Sequence, residues 1–163
     1  MARVRAGSIA VFVVSLPVLV GIFIYGPFVV DLFLHRRPPS RFLIPAGYVG
    51  WIRVEYRVAD APPLPREGTY SLVRVDRGGA LRTSSDLPEG WAHDQFFYYA
   101  GNSRQALSNA GWCKGGMVWG EEIETKASVH AGQSSLLQKF FVGSEDQFRA
   151  EVDPTGKTYS PCG

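Results

Sequence analysis

The stretch Ala6–Leu34, AGSIAVFVVSLPVLVGIFIYGPFVVDLFL, constrains this chain more than any other feature. From Ala6 through Val30 it carries no charge, and a helix needs only about 20 such residues to cross the hydrocarbon core of a bilayer. No later segment is as long or as apolar. The run predicts a single transmembrane helix, with the lipid bilayer as its partner and a working domain behind it. Pro17 and Gly21 fit that reading, because both residue types are commoner in membrane helices than in soluble ones. A cleaved signal peptide has an apolar region of roughly 7–15 residues followed by a small-residue cleavage site. This run is longer, and Tyr25-Gly26-Pro27-Phe28 lacks that pattern, so an uncleaved signal anchor is expected. No cysteine follows closely enough to accept a lipid at a new N-terminus. Asp31 lies one turn before the basic boundary His35-Arg36-Arg37 and reads as a helix-end residue rather than an intramembrane functional acid.

Charge and cysteine usage pull the topology in opposite directions. Arg3 and Arg5 precede the run, whereas Arg36, Arg37 and Arg41 follow it, and positive charge favours the cytoplasmic side. The two cysteines, Cys113 and Cys162, have no metal-ligand spacing. An even count in a small, glycine-rich domain fits one disulfide in an oxidising compartment. The expected topology is therefore single-pass, with the domain on the extracytoplasmic side. A cytoplasmic domain with two unrelated, reduced thiols is the competing reading.

The predicted organisation is a membrane anchor with basic flanks over 1–37, a linker over 38–41 and a β-rich domain over 42–163. Pro38-Pro39 closes the membrane helix, since proline cannot continue one. Four of the 17 basic residues and one of the 15 acidic residues precede Pro38, which leaves 13 against 14 from there on. The domain is thus close to neutral and shows no clustered basic face, and nucleic-acid binding is excluded as a class.

Tyr48–Val58 is the clearest strand: Ile52, Val54, Tyr56 and Val58 alternate with Arg53, Glu55 and Arg57, the period of a half-buried antiparallel strand. Ala61-Pro62-Pro63-Leu64-Pro65 follows as a stiff connection, with a peptide-recognition role as the rarer alternative. Tyr70–Val75 and Ala80–Ser84 read as two strands joined by a reversal at Asp76-Arg77-Gly78-Gly79. Further strands are expected at Gln95–Ala100, Arg104–Leu107, Met117–Glu124 and Leu136–Val142. One helix is predicted from Glu145 to about Glu151. Ser144 and Gln147 form a capping box there, Phe148 turns inward and Pro154 limits extension. The fold class is mainly β, a small antiparallel sandwich or barrel with one short C-terminal helix.

Four segments together carry a likeness: Ile44-Pro45-Ala46-Gly47-Tyr48-Val49-Gly50-Trp51-Ile52, Ala61–Pro65, Leu81-Arg82-Thr83-Ser84-Ser85, and Phe140-Phe141-Val142-Gly143-Ser144 with Phe148. The pattern resembles a family of bacterial cell-envelope proteins known only as a domain of unknown function, over roughly Phe42–Val152. The resemblance implies a membrane-anchored or exported bacterial protein and brings no catalytic residues with it.

Catalytic signatures are weak. His93 and His130 lie in no recognised ligand spacing, and neither a metal nor an organic cofactor is expected. The enzyme alternative is a hydrolase in which His93-Asp94 meets Glu121, Glu122 or Glu124. Gly132-Gln133-Ser134-Ser135 departs from the G-x-S-x-G pattern at its last glycine. Gly115-Gly116 lacks phosphate-loop spacing and reads as a turn. Lys114 would lower the Cys113 thiol pKa if that cysteine were free. The feature with functional potential is aromatic: Trp91, Phe96, Phe97, Tyr98, Tyr99, Trp112 and Trp119 form the candidate binding surface. On a strand, Phe96 and Tyr98 must face opposite to Phe97 and Tyr99, so one pair leaves the main core. The leading expectation is a non-catalytic module that binds or supports an unidentified envelope protein or ligand.

Overall fold

The computed structural model describes residues 36–126 and 134–153. The apolar run, the segment containing His130, and the tail containing Cys162 lie outside the described residues. Among those described, no helix is long and apolar enough to cross a membrane. Residues 36–37 and 89–91 group apart from the main unit. Within that small group Arg36 forms a parallel bridge with Trp91, and its guanidinium lies 4.6 Å from the centre of the indole ring.

The main unit contains two open sheets, neither closed into a barrel. In chain order the strands are β1 (Ser40–Pro45), β2 (Gly50–Tyr56), β3 (Arg66–Glu67), β4 (Tyr70–Arg74), β5 (Ala80–Arg82), β6 (Gln95–Ala100), β7 (Ser103–Ala106), β8 (Val118–Lys126) and β9 (Ser135–Val142). A helix, α1 (Glu145–Val152), follows them. The larger sheet runs β3-β4-β1-β6-β7 and the smaller β5-β2-β9-β8. Both are mixed, which corrects the expected antiparallel pattern: β1 is parallel to β4 and to β6, and β2 is parallel to β5 but antiparallel to β9.

β1 supplies the centre of the larger sheet, so Ser40 and Arg41, expected in the linker, are strand residues. Its Phe42, Leu43 and Ile44 are all buried. Phe42 and Ile44 face the core and Leu43 the opposite side, where it is still only 4% exposed, so the strand reads as a continuous apolar run rather than an alternation. β2 does alternate as expected, with Ile52, Val54 and Tyr56 in the core and Arg53 exposed. It ends at Arg57, whose positive φ of 62° breaks the extended backbone.

The core lies between the sheets. Phe42 stacks on Phe96 within the larger sheet at 4.9 Å, and Phe140 of the smaller sheet meets both rings edge-on at 5.1 and 5.3 Å. Each such ring pair adds about 0.5–1.5 kcal/mol beyond its buried area. One polar chain enters this core: the Tyr56 hydroxyl donates to Gln138 Oε1 (2.8 Å), and Gln138 Nε2 donates to Glu121 (2.7 Å).

The turn at Asp76–Gly79 forms as expected, but it does not make a hairpin. β4 lies in the larger sheet and β5 in the smaller, so the turn carries the chain from one layer to the other. Asp76 Oδ1 accepts from the amides of Gly78 and Ala80. At Gly79 φ is +75°, and a Cβ would sit 2.0 Å from the Tyr48 hydroxyl oxygen and 2.8 Å from the Trp51 carbonyl oxygen. Only glycine fits there. The proline segment before β3 is held by Thr83 Oγ1 donating to the Pro62 carbonyl and by Ser85 Oγ accepting from the Leu64 amide.

α1 covers the outer face of the smaller sheet. Its capping box is complete: Ser144 Oγ accepts from the Gln147 amide and Gln147 Oε1 accepts from the Ser144 amide. Phe148 is buried in a second cluster with Trp119, Phe141 and Trp51. Room for it comes from an irregularity in β8 between Trp119 and Glu122, where Gly120 lies directly beneath the Phe148 ring.

Candidate functional site

The outer face of the larger sheet is uncovered by any described element and carries an arginine–aromatic lattice. Parallel pairing of β1 with its neighbours sets Arg41 beside Leu72 and Gln95, and Leu43 beside Arg74 and Phe97. Because Phe42 and Phe96 point into the core, Arg41, Leu43, Phe97 and Tyr99 point out. The Arg41 guanidinium sits 4.3 Å from the Tyr70 ring centre and 5.7 Å from that of Phe97. The same group donates through Nε and Nη2 to Gln95 Oε1, and Gln95 Nε2 donates to the Tyr70 hydroxyl.

Glu67 ties the edges of this face together. Arg41 reaches it at 3.0 Å and Arg104 of β7 at 2.8 Å. Hydrogen bonds from Arg104 and then from Arg41 hold the Glu67 carboxyl below the usual glutamate range. Three arginines against one carboxylate leave the lattice with an excess of two positive charges. Among the described residues, no carboxylate pairs with Arg74. It is exposed, and its guanidinium lies over the Tyr99 ring at 4.5 Å. Tyr99 in turn points across the end of β1 toward β4, its hydroxyl 3.4 Å from the Val75 carbonyl oxygen.

The aromatic residues singled out from the sequence go to different places. Phe97 and Tyr99 belong to the lattice. Phe96 is buried between the sheets, and Tyr98 packs against the same core with its hydroxyl donating to the Tyr48 carbonyl at 2.7 Å. That burial raises the Tyr98 pKa. Trp119 is buried under α1, with its indole N–H donating to the Gly143 carbonyl. Trp112 is 43% exposed at the edge of that second cluster, with the Arg149 guanidinium 5.0 Å from its ring centre. Trp91 pairs with Arg36. Of the six in the main unit, Phe96 and Trp119 are therefore not on a surface at all.

Cys113 follows Trp112 in a turn with φ +59°. Its amide donates to the Glu145 carboxylate at 2.8 Å; this bond, and then Arg149, hold the Glu145 pKa low. Cys162 lies outside the described residues. His93 is exposed, and Asp94 accepts from the Ser40 amide at 2.7 Å. On β8, Glu121 accepts from Gln138, while Glu122 and Glu124 pair with Lys139. Among the described residues no group of three or more His, Cys, Asp and Glu is placed to hold a metal ion.

Sequence reasoning missed Arg41, Arg74, Arg104 and Glu67. Alternation within β4 places Tyr70 and Arg74 on one face. Bringing them beside Arg41 and Tyr99 requires the parallel register of β1, which no local pattern encodes.

A model of a family of unknown function, DUF6843, matches residues 36–151. This chain belongs to DUF6843. The match covers both sheets and nearly all of α1, and it bears out the resemblance to a domain of unknown function. The DUF6843 domain described here is similar in fold to a crystal structure titled "Putative Lipoprotein from Bacillus anthracis". The TM-score is 0.56 at 20% identity, over 64% of this chain and 69% of that one. No curated protein matches the chain.

Proposed function

We propose that this DUF6843 member is an envelope protein held at a membrane by Ala6–Leu34, with its sandwich on the extracytoplasmic side, and that it binds a partner rather than catalysing a reaction. The observation that carries the binding reading is the lattice of Arg41, Arg74, Arg104, Tyr70, Phe97 and Tyr99 on an uncovered sheet face. Arginine and aromatic side chains are enriched in protein interfaces and among the residues that dominate their energetics. The titled lipoprotein of similar fold supports the envelope assignment by analogy alone. In this reading Cys113 and Cys162 form a disulfide that pins the C-terminal tail. The hydrolase alternative draws no support from the geometry, because the β8 acids are engaged by Gln138 and Lys139 and His93 is exposed.

The test places a photo-crosslinking residue at Ala106, exposed on the lattice face opposite Phe97, and another at Ile123 on the smaller sheet as reference. Adducts formed in intact cells from position 106 and not from 123 are expected. Equal labelling from both, or none from 106, would refute the face assignment. Release of the full chain from membranes by alkaline carbonate would refute the anchor. Free thiols at both cysteines in intact cells would refute the topology.

A further inference from the structure

At one end of the lattice lies an open hollow of about 470 Å³, lined by Leu43, Arg74, Tyr99, Gly101, Asn102 and Arg104. Its parts come from both sides of β1. Arg74 stands on β4, Tyr99 and Arg104 are cross-strand partners on β6 and β7, and Asn102 sits in the tight turn between those two strands. The floor is the buried Leu43 side chain and the Tyr99 ring, on which the Arg74 guanidinium rests. That guanidinium lies 4.5 Å from the ring centre and is exposed. Arg104 spends Nη1 on Glu67, and no acidic side chain lines the hollow.

Two fork-shaped cations over an apolar floor, with an amide at the rim, suit planar or tetrahedral oxyanions, which guanidinium groups bind through paired, charge-assisted hydrogen bonds. We propose that this hollow binds the carboxylate or phosphate of a ligand between Arg74 and Arg104. The site rests on the reading of this face as the binding surface and specifies the chemistry of what binds there. Asp76 and Arg82 line the neighbouring hollow beyond Tyr99 and Arg74 rather than this one. Arg82 also has Glu55 at 3.4 Å, so among the described residues Arg74 is the cation of this pair with no carboxylate partner.

The test uses the full chain in phosphatidylcholine nanodiscs, with inorganic phosphate and then galacturonate as probes and chloride at matched ionic strength as control. The readouts are the Arg104 Nε–H and Asn102 side-chain amide resonances. Phosphate should move both saturably, with a dissociation constant on the order of millimolar, as befits so small a ligand. Arg74→Gln should weaken binding at least about tenfold, and Arg74→Lys by less, since it keeps the charge but loses the fork. Arg82→Gln, equal in charge change and outside the hollow, should leave binding unchanged. An equal response to chloride, or equal weakening by R82Q and R74Q, would overturn the site. Phosphatidylglycerol discs separate the sources: resonances already shifted and insensitive to phosphate identify a lipid headgroup, and a retained phosphate response identifies a soluble anion. Loss of the anion response with crosslinks from position 106 intact removes this site alone. Loss of the crosslinks with the anion response intact removes the partner-face reading alone.

Discussion

Phe140→Ala should be among the most damaging single changes in the domain. The Phe140 ring is fully buried and meets Phe42 and Phe96 edge-on from the opposing sheet. Truncating a buried phenylalanine costs about 3–5 kcal/mol, a range that already contains the lost transfer energy and the residual cavity. Phe140 contacts rings on two different strands of the facing layer, and neither can follow the shortened side chain without leaving its own sheet. The cost should therefore fall in the upper half, about 4–5 kcal/mol. A domain of this size has a total stability of about 5–15 kcal/mol, so one substitution removes about a quarter of it or more. The comparison is Phe97→Ala, one residue from Phe96 on the same strand but half-buried on the outer face, where about 1–2 kcal/mol is expected. Urea unfolding of both variants in the full chain, followed by tryptophan fluorescence, measures the difference. A loss from Phe97→Ala equal to that from Phe140→Ala would mean that the two layers do not enclose the principal core.

Other outcomes follow from single contacts. Gly79→Ala should cost more than about 2 kcal/mol, because it combines a positive φ with a Cβ inside contact distance of Tyr48 and Trp51; the shift in urea midpoint reads it. Ser144→Ala should cost about 1 kcal/mol through loss of the cap, seen as faster hydrogen exchange confined to the first turn of α1. Glu67 titrates below the ordinary glutamate value of about 4.3. Its contribution is present above that pH and is lost as the pH falls through the lowered folded value. Carbon-13 titration of the Glu67 carboxyl should show the depressed midpoint, and Arg104→Gln should raise it. Tyr56→Phe removes the hydroxyl donor to Gln138 and should cost about 1–3 kcal/mol, measured by the same urea assay.

Local pattern carried the elements whose signal is itself local. The alternation in Ile52, Val54 and Tyr56 placed β2, and the Ser144/Gln147 pair placed the start of α1 with Phe148 inward. The tight turn at Asp76–Gly79 was also readable, since its residues specify the backbone. Its consequence was not: whether a reversal closes a hairpin or passes the chain to another layer depends on partners far along the sequence. β1 was hidden for a related reason. Phe42-Leu43-Ile44 is buried on both faces, so it shows no alternation, and its partners Ser71 and Gln95 lie far downstream. The charged lattice inherits that obscurity, because only the placing of β1 brings the Arg41 guanidinium within reach of Tyr70 and Phe97. The aromatic run at Phe96–Tyr99 showed that two rings had to turn outward but gave no sign of the cations they would meet.

The place of β1 also bears on how the domain carries load. Tension arriving along the backbone from residue 38 enters the middle strand of five, gripped on either side by strands running the same way. Pulling on it draws both rows of amide bonds sideways together instead of opening them one at a time, so the domain should resist a tug at its front end far better than one that peels β7 from the rim.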